Sequence, residues 1–282
     1  MQAILITAYK NKKQIQNLIN FFKANNYVFV HLDKKSDLQI EDFQPDAHVK
    51  IIKKYTICWG GLNHLRAILD LLDMALKENI SYLHIISGQD IPVKSIGEFS
   101  KFENSSKIYM QCESVQGKDV TFKNRYKKGA LFSNKSSIKL CWRIINTIYG
   151  LFHHKNGIGY FSEEDIYIGL VWCSMPIEAA KYIKEYVSKN FPKYWKHIII
   201  PEEFFFQTVL YNSKFNKNII KTNLRYCDWH YRNGSLPAYL DKSDIEKISE
   251  GNYYFARKID PNISREVIKE LFDNDKINLK NK

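Results

Sequence analysis

No CxxC pair occurs in this chain, and its five cysteines, at positions 58, 112, 141, 173 and 227, are odd in number. That pattern does not look like a disulfide framework and leaves free, buried thiols of a reducing compartment as the expected state. Glycine-rich phosphate loops are missing as well. Neither GxGxxG nor GxxxxGK[ST] is present, which weighs against dinucleotide and P-loop ATP chemistry. No DxD triplet of the sugar-nucleotide kind follows a strand. Ser87 has no GxSxG surround, which argues against a serine nucleophile. The histidines, the pair His153-His154 included, lack metal-ligand spacing, so surface or internally satisfied roles are expected. Apolar runs of membrane-spanning length are absent, and MQAILITAYK is too short for a signal peptide or an anchor. The expected location is cytoplasmic, with peripheral contact to the inner face of the membrane allowed by the basic surface.

What is present is a well-filled globular composition. The 282 residues suit one large domain or two small ones, and 45% apolar with 14% aromatic content excludes global disorder. Net charge is +12, with lysines dense at 10–13, 123–128 and the C-terminal tail. Such a surface suits nucleic acid, an anionic membrane face or phosphorylated small molecules. Strand and helix periodicities alternate early: strands at 3–9, 27–33, 48–54 and 82–87, helices at 11–26 and 62–78. The alternation predicts a mostly parallel sheet with helices on both faces. Further on, strands are expected at 107–114, 168–175 and 197–200. Helices are expected near 136–152, over 176–190 behind Pro176, from Glu202, and over 264–274 with Ser264 as cap; residues 251–260 read as irregular.

Three strands end in polar residues, and ligands of open α/β sheets bind at the carboxyl ends of strands. These ends are Asp33 with two lysines, the run Ser87, Gly88, Gln89 and Asp90, and the pair Glu202 and Glu203. Each alone reads as well as a turn or cap; IIIPEEFFFQT is equally a helix start, with Pro first and glutamates near the positive end of the dipole. Trp59 and Gly60 in the WGG turn fit a core tryptophan. Trp229 and Tyr231, spaced to face one side of an extended segment, fit core packing and sugar stacking equally. Arg257 and Lys258 fit a solvated pair or a phosphate clamp.

Six segments in order, VHLDKKS, WGGLNHLRAILDLLDMAL, HIISGQDIPVKS, PEEFFFQTVLYNS, RYCDWHY and YYFARKID, make the chain resemble the core-2/I-branching β-1,6-N-acetylglucosaminyltransferase family from about residue 3 to about residue 270. That family also includes peptide-O-xylosyltransferases and bacterial relatives. The resemblance implies an α/β, GT-A-like single domain over 1–274 with a Rossmann-like, mostly parallel central sheet. Residues 1–100 would form the nucleotide-sugar half, 101–274 the acceptor and catalytic half, and 275–282 a polar tail. It implies inverting transfer from a UDP-sugar, by family precedent N-acetylglucosamine, to a glycan or lipid-linked oligosaccharide hydroxyl in surface polysaccharide or lipopolysaccharide synthesis. Neither a cofactor nor a metal is expected. Glu203 matches the family's base, with Glu202 supporting it. Asp33, Trp59, Gly60, Ser87, Gly88, Gln89, Asp90, Arg257 and Lys258 match donor-binding positions, Lys258 at the diphosphate. Glu113, Trp229, Tyr231 and Arg232 match the acceptor side. Animal members carry a further diphosphate-binding arginine on a loop that is shorter here, and Arg232 and Arg257 are the candidates to replace it. They also carry disulfides, a stem and a membrane anchor, so the resemblance is to a bacterial, cytosolic relative. Two other readings stand beside this one. A nucleic-acid-binding protein is suggested by the basic, aromatic stretch 119–160, although the resemblance predicts no nucleic-acid partner. The other is a catalytically silent sugar-binding relative.

Overall fold

The first strand explains the sheet. β1 (Gln2–Ala8) is buried along all seven residues, as a strand covered on both faces must be. In this computed structural model, which describes residues 1–130, 139–152 and 155–272, β1 is followed by α1 (Lys12–Phe22), β2 (Asn26–Leu32), β3 (Val49–Ile52), α2 (Asn63–Ala75) and β4 (Tyr82–Ser87). Then come β5 (Asp90–Pro92), β6 (Ile108–Tyr109), β7 (Glu113–Ser114), α3 (Val120–Lys127), α4 (Lys139–Phe152), β8 (Gly157–Ile158), β9 (Phe161–Ser162) and β10 (Tyr167–Ile168). The chain closes with β11 (Ser174–Pro176), α5 (Ile177–Asn190), α6 (Glu202–Tyr211), β12 (Ile219–Ile220), β13 (Arg225–Cys227), α7 (Ile245–Glu250), β14 (Phe255–Arg257) and α8 (Arg265–Leu271).

The seven-stranded sheet has the order β12-β6-β11-β4-β1-β2-β3. It is parallel except where β11 runs against β4 and β6. Ala3 and Leu5 point to one face, where α2, α5 and α6 pack; Ile4, Ile6 and Ala8 point to the other, against α1 and α8. Each fully buried Leu, Ile or Phe in these layers contributes roughly 1.5–3 kcal/mol. This is the α/β, GT-A-like architecture expected. Register then aligns the strand ends: Thr7 of β1 lies opposite Ser87 of β4 and His31 of β2. A second sheet, β13-β14-β5, sits beside these ends and pairs Arg257 with Asp90.

Several expectations are corrected. Residues 198–200 are not a strand: Ile200 has φ 56°, and the amides of Ile199 and Ile200 bond to the carbonyls of Arg125 on α3 and of Gly60 in a turn, not to a neighbouring strand. Residues 255–257 are not irregular but a central strand between β5 and β13. The strand predicted over 168–175 is two pieces, β10 and β11, because the chain leaves β10 at Gly169. A side chain there would strike the Gln111 carbonyl at 2.0 Å, and the Gly169 amide donates to Glu203 O. Ser264 does not cap α8 through its side chain; its hydroxyl donates to Leu240 O at 2.6 Å. Cys112 and Cys173 are buried as expected, while Cys58 and Cys227 are only half-buried. The start of the helix expected near 136, the pair His153-His154 and the tail 275–282 lie outside the described residues.

Candidate active site

The turn at Ile200 sets the direction of the two glutamates. Pro201 follows it, and α6 begins at once, so Glu202 and Glu203 occupy its first turn and point to different neighbours. Glu202 turns inward and is buried. Its Oε1 lies 3.0 Å from Nδ1 of His64, whose Nε2 lies 3.2 Å from Thr7 Oγ1 at the end of β1. A ring that donates from Nδ1 to the carboxylate accepts from the threonine hydroxyl, so the trio is self-consistent.

Glu203 turns outward into a cavity of about 370 Å³ lined by, among others, Glu113, Phe122, Arg125 and Trp229. Arg125, on α3, donates to Glu203 Oε2 at 2.7 Å. Burial raises the Glu203 carboxyl above the ordinary glutamate range; the neighbouring charge of Glu202 adds to the rise and Arg125 opposes it. A group acting as base is active when deprotonated, so activity should fall as pH drops through this raised value. Arg125→Met removes the opposing charge. The acid limb of the pH–rate profile should therefore move to higher pH, measured as kcat against pH; a limb that stays in place refutes the coupling. Glu113, at the rim, accepts from Gln111 Nε2 at 3.0 Å and from Lys118, which keeps its carboxyl low.

On the other side of the His64–Glu202 pair the ring of His64 meets Trp172 edge-on at 5.9 Å. The guanidinium of Arg257 lies 4.4 Å from the Trp172 ring centroid, and its Nε is 3.6 Å from Asp90 Oδ1. Asp90 accepts from the amide and hydroxyl of Ser87 at 2.5 and 2.6 Å. One run of contacts thus links Glu202 to Arg257, the chain neighbours of Glu203 and Lys258. Gly88 sits so close to β1 that a methyl would be 2.9 Å from Ala8 Cβ and 3.2 Å from Ile15. Gln89 accepts from Tyr9 OH at 3.2 Å. Asp33, also buried, accepts the amides of Lys35 and Ile57 and so pins the loop behind β3.

Lys258 donates to Ser235 Oγ at 3.0 Å and lies over the Tyr239 ring at 4.8 Å. Lys10 approaches the same tyrosine, 3.3 Å from its hydroxyl and 3.9 Å from Asp260. Burial alone would raise the Tyr239 phenol, yet the two lysines hold it below its ordinary value. Two ammonium groups therefore converge on one phenol at the end of β1.

Other sequence candidates have different surroundings. Trp59 is no core residue: it is 70% exposed, on a turn whose Gly60, at φ 77°, offers its carbonyl to Ile200. Trp229 and Tyr231 are also exposed, so core packing is excluded for both. Arg232 is enclosed by carboxylates, bonding Asp228, Asp241 and Asp244, and its guanidinium is held more firmly charged than usual. It braces its own loop and presents no unneutralised charge to a ligand. Arg125, His64, Lys10 and Tyr239 were missed in the sequence. Only His64 had a local signal, its place directly behind the WGG turn.

A family model described as Core-2/I-Branching enzyme matches residues 3–252. Similar proteins include Xylosyltransferase sqv-6 of Caenorhabditis briggsae, 24% identical over 294 residues, covering 92% of this chain and 34% of that protein. Xylosyltransferase oxt of Drosophila melanogaster is 22% identical over 287 residues, 92% of this chain and 31% of its own length. Human Xylosyltransferase 2 is 22% identical over 298 residues, 92% and 32%. The chain spans about a third of the length of these relatives.

Proposed function

The chain belongs to the Core-2/I-branching enzyme family, a family of glycosyltransferases, and from that premise we propose that it transfers a sugar from a UDP-sugar to a glycan hydroxyl in a single inverting displacement. The observation that carries this reading is Glu203: a carboxylate of raised pKa, open to a cavity, whose helix neighbour Glu202 leads through His64 and Trp172 to Arg257, next in sequence to Lys258.

In this reading the acceptor enters beside Trp229 and Glu113, and Glu203 takes the proton of its hydroxyl. Arg125 occupies Oε2, which leaves Oε1 for that proton. Glu202, tied to His64 and Thr7, holds the first turn of α6 in place. The departing diphosphate gains negative charge, and fixed cations stabilise it. Lys258 and Lys10 fill this role; Arg232, already neutralised, does not, and Arg257 supports the wall through Trp172 and Asp90. No metal or cofactor enters this scheme. As to the sugar, family precedent favours N-acetylglucosamine, and the names of the relatives put xylose beside it. The basic surface suits a cytoplasmic enzyme working on an acceptor held at an anionic membrane face.

A panel of UDP-sugars, read by mass spectrometry for UDP release and by thermal shift for binding, tests the proposal. One UDP-sugar is expected to stabilise the chain and be turned over. Stabilisation by oligonucleotides with no response to any UDP-sugar would overturn it in favour of a nucleic-acid role. Binding without turnover would favour a silent sugar-binding relative.

A further inference from the structure

Helix α4 carries an apolar stripe that faces solvent. Ile144, Ile148 and Leu151 follow one another at helical spacing, with Ile145 and Phe152 beside them, and all five are exposed, Leu151 by 73% and Phe152 by 81%. At about 100° per residue they cover roughly a third of the helix circumference. The opposite side is the one seated on the protein. Gly150 lies against the side chain of Lys128, and Tyr149 meets the ring of His197 at 5.4 Å.

Charge says what would cover the stripe. From residue 120 to residue 162 the chain holds eight lysines and arginines and no aspartate or glutamate. Among the described residues, Lys123 and Lys127 pair with Glu163, and Arg125 with Glu203. Of the others, Lys128 packs beside Gly150 of the helix, Lys155 follows its C-terminal end, and both are exposed. An exposed apolar stripe embedded in one sign of charge matches neither a soluble surface nor a second copy of itself, which would bring like charges together. It matches a bilayer with anionic headgroups, where apolar side chains enter the acyl boundary and lysines meet phosphates. At 14 residues α4 is about 21 Å long, short of the roughly 30 Å hydrocarbon core, so it would lie in the plane of the interface. Among the described residues, no helix is long and apolar enough to cross a membrane.

We propose that the exposed face of α4 docks this protein on an anionic lipid surface. The proposal stands apart from the transferase reading, because docking is measured without donor or acceptor.

Flotation of the full chain with vesicles of phosphatidylcholine containing roughly a third phosphatidylglycerol tests it. The chain is expected to float with these vesicles. The variant Ile148→Ser/Leu151→Ser/Phe152→Ser, altered only at exposed positions, is expected to bind about tenfold more weakly or less. Its melting temperature and its turnover of a UDP-sugar in solution are expected to match the parent. Three results overturn the proposal: a parent chain that does not float; a variant that binds as tightly, which assigns lipid contact to the lysines alone; or, in gel filtration, self-association lost in the variant, which assigns the stripe to a second copy. Tighter binding of a duplex oligonucleotide than of vesicles at the same salt also overturns it.

Discussion

Glu203→Gln is expected to lower turnover by about 10²–10⁴-fold while leaving UDP binding in place. The change is nearly isosteric. Its side-chain oxygen still accepts from Arg125, so α3 and the first turn of α6 keep their contact. What disappears is proton affinity: an amide takes no proton from an attacking hydroxyl. Steady-state kinetics give the loss, and calorimetric titration with UDP gives the retained affinity. Turnover at the parental rate would remove Glu203 from the role of base. The neighbour makes a useful contrast. Glu202 is buried on His64, so its replacement should lower stability as well as rate, whereas Glu203→Gln should leave the melting temperature close to that of the parent.

Lys258→Ala is expected to cost about 10²–10³-fold in turnover, the loss typical of removing one fixed partner of a developing anion. Added magnesium should not restore the rate, because in this mechanism the chain's own ammonium groups carry the charge. Recovery with magnesium would refute that account. A second readout comes from Tyr239. Its phenol is held below the ordinary value by Lys10 and Lys258 against the effect of burial. Removal of either cation destabilises the phenolate, so the titration must move to higher pH in Lys258→Ala, which ultraviolet difference spectra can follow. A Lys10→Ala/Lys258→Ala double variant should lose less than the product of the two single losses, since both lysines act on one group.

Much of the sheet was legible because its signals are local. The apolar runs of β1, β2 and β4 and the helical spacing in α1 and α2 each lie within one segment, and tertiary packing agrees with them. The errors arose where a distant partner decides. Ile198, Ile199 and Ile200 have the composition of a strand, yet their amides meet single carbonyls of Trp195, Arg125 and Gly60, and a left-handed turn replaces the ladder. Residues 255–257 look irregular beside Asn252 and Gly251, yet β5 and β13 were waiting on either side. At the candidate site, Glu203 and Lys258 were visible through their motifs. Arg125 was not, because nothing in KNRYKK distinguishes the one cation that reaches a carboxylate 78 positions away from its neighbours. Arg232 was misleading for the same reason in reverse: the three aspartates around it converge only when the loop closes.

The pairing of Arg257 with Asp90 has a consequence for the order in which the protein becomes competent. The parallel strands β1 to β4 are complete within the first third of the chain, and domains fold from the N-terminus during synthesis. Yet β14, the strand that pairs with β5 and leads into Lys258, is made long after them. A nascent chain can therefore hold β1 to β4 and still lack the lysine proposed to meet the diphosphate.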